Sequence, residues 1–81
     1  MPRTQLSPKA TLDTLASAIL LTSRKILYLQ NLIRDLRVPL YQRLAANSEL
    51  VAAEERLAEL QQHHWMLLSQ HPELFHLYLP H

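Results

Sequence analysis

From Leu12 to Leu40 apolar residues recur three and four positions apart, at Leu12, Leu15, Ile19, Ile26, Leu29, Ile33, Leu36 and Leu40, with Thr22 as the one polar member. Spacing of this kind, held over four heptads, puts every one of these side chains on a single stripe of an α-helix. Ile19, Ile26 and Ile33 alternate with Leu15, Leu29 and Leu36, a combination that suits the two kinds of site in a helical seam. A helix with such a stripe must bury it against a partner.

The start of that helix is legible. Ser7 followed by Pro8 reads as an N-cap with proline at the first helical position, where the missing N–H costs nothing. Pro39 is the first obstacle. It cannot donate to the carbonyl of Asp35 and it disfavours the α region at Val38, so the helix is expected over residues 8–37. The spacing Leu36, Leu40, Leu44 carries the stripe one turn further, which leaves a kink, a short helix or a loop open for residues 38–47. Asn47 and Ser48 offer caps for a new helix, and Glu49 suits its first turn, so the reversal is expected between Val38 and Ser48 and the second helix over residues 48–70. That helix repeats the spacing through Leu50, Ala53, Leu57, Leu60, His64 and Leu67. Pro72 closes it, with His71 as a possible cap for a helical or irregular tail over residues 71–81. Residues 1–7 form an N-terminal arm, and the heptads are the only repeat. The fold class that follows is all-α, an antiparallel helical hairpin with a coiled-coil-like seam, in one domain of 81 residues.

Composition removes most chemistry. Glycine is absent, and with it phosphate-cradling loops, dinucleotide-binding turns and nucleophile elbows. Cysteine is absent too, so neither disulfides nor thiolate metal sites staple this small chain. The carboxylates fall in no acid/base arrangement, with Glu55 and Glu59 reading as a solvated face, and no enzymatic activity is expected. All five histidines, His63, His64, His71, His76 and His81, lie in the last 19 residues. On a helix His64 and His71 stand about 10.5 Å apart, too far to chelate one ion. Interface or capping roles are expected for them, with no cofactor and no metal. The apolar run Leu15 to Leu21 is too short to span a bilayer and poorly framed as a signal, so a cytoplasmic protein without membrane contact is expected.

Two apolar stripes make a hairpin, but the chain has more apolar surface than one hairpin hides. Leu20, Leu21, Leu27, Tyr28, Trp65, Leu68, Phe75 and Tyr78 all fall outside the seam, and the reversal brings Leu15–Leu21 opposite a region between His64 and Tyr78, so that both helices are apolar nearly all round at the open end. A helix apolar on every side is a buried helix. These eight residues are therefore the expected oligomer or partner interface, with two copies pairing as a dimeric four-helix bundle. Charge is divided along the chain in a way that suits pairing. Residues 1–47 hold seven Lys and Arg against two Asp, a net of +5, and residues 48–81 hold one Arg against five Glu, a net of −4.

The expected function is binding by a small adaptor, regulator or chaperone whose helical surface docks on another protein. In size and pattern the chain resembles the general type of short helical-hairpin adaptors, secretion chaperones and small regulators. The alternative is a dimeric nucleic-acid-binding regulator that lays Arg24, Lys25, Arg34 and Arg37 on phosphates. Those four side chains do not fall on one line: Lys25 and Arg37 are about 120° apart around a helix axis.

Overall fold

The computed structural model describes residues 7–78, and these are all-helical. Helix α1 spans Pro8–Arg34, α2 spans Leu40–Gln70, a 3-10 turn covers Pro72–Leu74, and a final short helix α3 covers Phe75–Tyr78. The expected N-terminal arm lies outside the described residues apart from Ser7, as do the last three residues of the tail. Ser7 caps α1 as expected: its Oγ accepts from the Ala10 N–H at 3.1 Å, with Pro8 in the first turn.

The chain reverses over Asp35–Pro39, at the near edge of the expected interval, and α2 runs straight through Asn47 and Ser48. Two local causes fix the turn there. Asp35 leaves the helix with extended backbone, and its carboxylate accepts from the Arg37 N–H and from the Arg37 guanidinium at Nε and Nη2, each at 3.0 Å. Pro39 then serves as the N-cap of α2, its carbonyl accepting from the Gln42 and Arg43 N–H groups at 3.0 and 3.1 Å. The proline that ends one helix opens the next. Asn47 and Ser48 each cost a helix only about 0.5 kcal/mol relative to Ala. A break there would pull Ala46, which is buried, out of the core cluster that it forms with Ile26, Leu29 and Ala53.

α1 and α2 pack antiparallel along the seam. Leu12, Leu15, Ile26 and Leu29 are buried from α1, and Ala46, Ala53, Leu60 and Leu68 from α2. Ile26 and Leu29 share one buried cluster with the small side chains of Ala46 and Ala53, so large residues on one helix meet small ones on the other. Thr22 sits half-buried in the seam with its hydroxyl donating to the Ala18 carbonyl at 2.7 Å.

Two parts of the expected stripe are corrected. Leu36, Leu40 and Leu44 are exposed, Leu36 at 81%. Their spacing presumes one continuous helix, and the turn at Asp35–Pro39 resets the helical phase, so the buried row of α2 begins at Ala46 instead. At the far end Leu68 is 1% exposed and belongs to the core, while Leu67 is only half-buried. A straight α-helix drifts about 20° per heptad from a 3.5-residue repeat. Over the length of α2 that drift moves the buried row from position 67 to position 68. With the turn this early, the Thr22–Lys25 stretch lies beside Ala52, Ala53 and Arg56, not beside the stretch from His64 onward that a later turn would bring to it.

Leu29→Ala or Leu12→Ala should lower stability by about 2–5 kcal/mol in urea unfolding, because each empties a buried site. Leu36→Ala should stay within about 0.5 kcal/mol. Equal losses at Leu29 and Leu36 would place the turn in the core along with the seam.

Candidate functional site

The described chain is one layer of two helices, 14 Å deep along its shortest axis. Domains ordinarily close a core between two layers. A single layer has two open sides, and both carry large apolar groups.

The 100° step of an α-helix sorts the expected interface residues between these sides. Leu20 and Leu27 follow one flank of α1, and Leu21 and Tyr28 follow the other, about 100° around the axis. All four are more than half exposed, Leu21 at 64%. Trp65, at 55%, lies on the α2 flank that shares a side with Leu20 and Leu27. Phe75 and Tyr78 are half-buried at the open end, and Leu68 is corrected from interface to core, since the chain buries it unaided.

The Leu21 and Tyr28 side also holds an open groove between the helices. One stretch, of about 250 Å³, is lined by Thr22, Lys25, Glu49, Ala52, Ala53 and Arg56. The next, toward the turn, is lined by Tyr28, Leu29, Leu32, Ala45, Ala46 and Glu49 among others. The groove is floored by alanines because Ala45 and Ala52, and Ala46 and Ala53, recur seven apart and so occupy adjacent rows of α2. Those paired alanines were the signal for this surface in the sequence, and a count of large apolar residues passes over them.

At the open end the tail folds back on α1. The Tyr78 hydroxyl donates to the Asp13 carboxylate and lies 3.4 Å from the Lys9 carbonyl, while Lys9 Nζ pairs with Asp13 at 2.9 Å. The His64 and Tyr78 rings meet edge to face at 5.1 Å between centroids, and Trp65 stacks on Phe75 at 6.2 Å. Hydrogen bonds from Tyr78 and then from Lys9 hold the Asp13 carboxyl below its ordinary value of 3.8. Burial, with Asp13 beside it, pushes the Tyr78 phenol from 10.0 up to about 12. His64 Nε2 is buried without a hydrogen-bond partner. His71 is the N-cap of the 3-10 turn as expected, through its carbonyl, which accepts from the Leu74 N–H at 2.9 Å, while its side chain places Nδ1 3.4 Å from Glu73. Among the described residues no three His, Asp or Glu side chains gather as a metal-binding group, and His81 lies outside them.

The charged groups stand apart. Arg24, Lys25, Arg34 and Arg37 are all exposed, but Lys25 and Arg34 project on opposite sides of α1, about 180° apart. Arg37 is engaged by Asp35 in the turn. Among the described residues, the ion pairs within 4 Å are Lys9–Asp13, Arg37–Asp35 and His71–Glu73. Across the hairpin the opposite charges of the two halves form no ion pair within 4 Å among the described residues, although Lys25 and Glu49 line the same stretch of groove.

The pH dependence of the open end has a definite sign. Asp13, with a lowered pKa, favours the folded state above the ordinary carboxylate range and loses that contribution as pH falls through it. Tyr78, with a raised pKa, favours the folded state below pH 10 and loses its contribution between pH 10 and about 12. The urea midpoint should therefore differ most between the parent protein and Tyr78→Phe from about pH 5 to pH 10, with the two curves converging at both extremes. A constant difference across the whole range would mean that Tyr78 contributes through its ring alone. His64→Leu, which removes the orphaned nitrogen, should raise stability by about 1 kcal/mol, and a loss would show that the ring contact with Tyr78 outweighs the orphaned nitrogen or that Nε2 has a partner.

No helix of the described residues is long and apolar enough to cross a membrane. Comparison of the chain with known protein families, with curated proteins and with solved structures found no match in any of the three.

Proposed function

We propose that this chain is a non-enzymatic protein-interaction module of the cytoplasm, a small adaptor, regulator or chaperone that works as a homodimer through its helical surface. One observation carries the reading. A layer two helices wide leaves Leu20, Leu21, Leu27, Tyr28 and Trp65 more than half exposed on its two sides. Covering such groups is worth roughly 1 kcal/mol each, a large share of what a domain of this size has in total. Apolar residues gathered on a surface in this way mark a place where another protein sits. A four-helix bundle of two hairpins would cover one side and leave the other for a partner protein.

The rival reading, a nucleic-acid-binding dimer, needs one basic face. The spread of Arg24, Lys25 and Arg34 around α1 supports it poorly, as does the engagement of Arg37 by Asp35.

Sedimentation equilibrium is expected to show a dimer at micromolar concentration. A monomer with a sharp thermal transition would overturn the proposal. Binding to duplex DNA or RNA with a steep salt dependence, lost together in Arg24→Ala and Arg34→Ala, would move the assignment to the nucleic-acid reading.

A further inference from the structure

The groove on the Leu21 and Tyr28 side is suited to one occupant, a second copy of the same chain. On this side α1 presents Leu21, Lys25, Tyr28 and Leu32, at steps of four, three and four residues. α2 presents Ala45, Glu49, Ala52 and Arg56 at the same steps. The α1 row is large throughout, whereas the α2 row alternates the small Ala45 and Ala52 with the charged Glu49 and Arg56. Within one chain the two rows flank the groove without filling it. Brought face to face with a copy, the large row of each α1 can lie on the alanine floor of the other α2.

Charge selects the same pairing. On this side α1 carries Lys25, with Lys9 and Arg34 on its opposite side, whereas α2 carries Glu49 and Glu59 against Arg56. Neither glutamate is paired with a described residue of its own chain within 4 Å. Stacking α1 on α1 and α2 on α2 would set like charges together, while stacking α1 on α2 sets opposite charges together.

From these two features we infer that two copies associate through this side about a two-fold axis parallel to the helices, with α1 of each on α2 of the other and both turns at the same end. This rests on the homodimer proposed above and specifies its surface and symmetry. An axis in that direction preserves height along the bundle, so register follows from the hairpin itself. Lys25 and Glu49 line the same stretch of groove, and the axis therefore brings Lys25 of each copy to the level of Glu49 of the other, twice per dimer. Area is also adequate. α1 is 27 residues long, about 40 Å at 1.5 Å per residue, and two helices side by side are about 20 Å wide. That face approaches the 800 Å² per partner of a stable interface. Leu20, Leu27 and Trp65 remain on the outer side.

Two measurements on the full chain test this. In sedimentation at low ionic strength, Lys25→Glu and Glu49→Lys should each weaken the homodimer about tenfold, and an equimolar mixture of the two should regain the parent affinity as a heterodimer. A pairing confined within one chain cannot be restored by mixing. Because cysteine is absent, Leu36→Cys labels the turn uniquely. Spin labels there should lie within about 25 Å of one another, against about 40 Å or more if the copies run head to tail over the length of α1. A dimer with distant turns and no rescue on mixing overturns the arrangement and leaves the homodimer standing. A monomer overturns both.

Discussion

A proline has no N–H to give to the carbonyl four residues before it, and in this chain that missing donor falls between two stretches that both favour the helix. Pro39 stops α1 from running on, and Asp35 accepts from Arg37 to shape the residues between. The rest of the structure depends on where this turn lies. It sets the register in which Ile26 and Leu29 find Ala46 and Ala53. It resets the helical phase, so that Leu36, Leu40 and Leu44 go to solvent in spite of their spacing. It also decides that the tail, at the far end of α2, meets the first turns of α1.

Closure at that far end is of a different kind. The seam is apolar and non-directional, whereas Tyr78, Asp13 and Lys9 make a small polar clasp between the last helix and the first. A four-residue helix has little stability of its own. It is held by the aromatic contacts of Tyr78 with His64 and of Phe75 with Trp65 together with that clasp. The apolar tail thus serves first to cover the open end of its own hairpin.

What remains uncovered is a consequence of thickness. Two helices can hide one stripe each, and α1 has apolar groups on three sides of its circumference. Folding of the single chain satisfies the seam and leaves the flanks, and the two flanks differ in character. One is grooved and floored with alanine beside unpaired charges of both signs; the other projects Leu20, Leu27 and Trp65. On the proposed reading, such a hairpin holds a copy of itself on one side and a different protein on the other.

Much of this was written in local pattern. The 3-4 spacing, the Ser7–Pro8 start and the proline stops depend on neighbours a few residues apart, and they determine two helices, an antiparallel reversal and the buried positions from Leu12 to Leu29. The surplus of apolar residues was legible in the same way, as a count that one hairpin cannot absorb. Which side of the helix each surplus residue takes, however, depends on the phase of α2, and that phase depends on whether the chain turns at Asp35–Pro39 or a dozen residues later. Local propensity was nearly indifferent between those turns, since Asn and Ser weaken a helix only slightly. The choice came from burial of Ala46 against Ile26 and Leu29, an interaction across about 20 residues that no spacing rule contains. The same holds for Leu68, for the alanine floor of the groove and for the bond between Tyr78 and Asp13: each joins residues far apart in sequence, and only the tertiary structure brings them together.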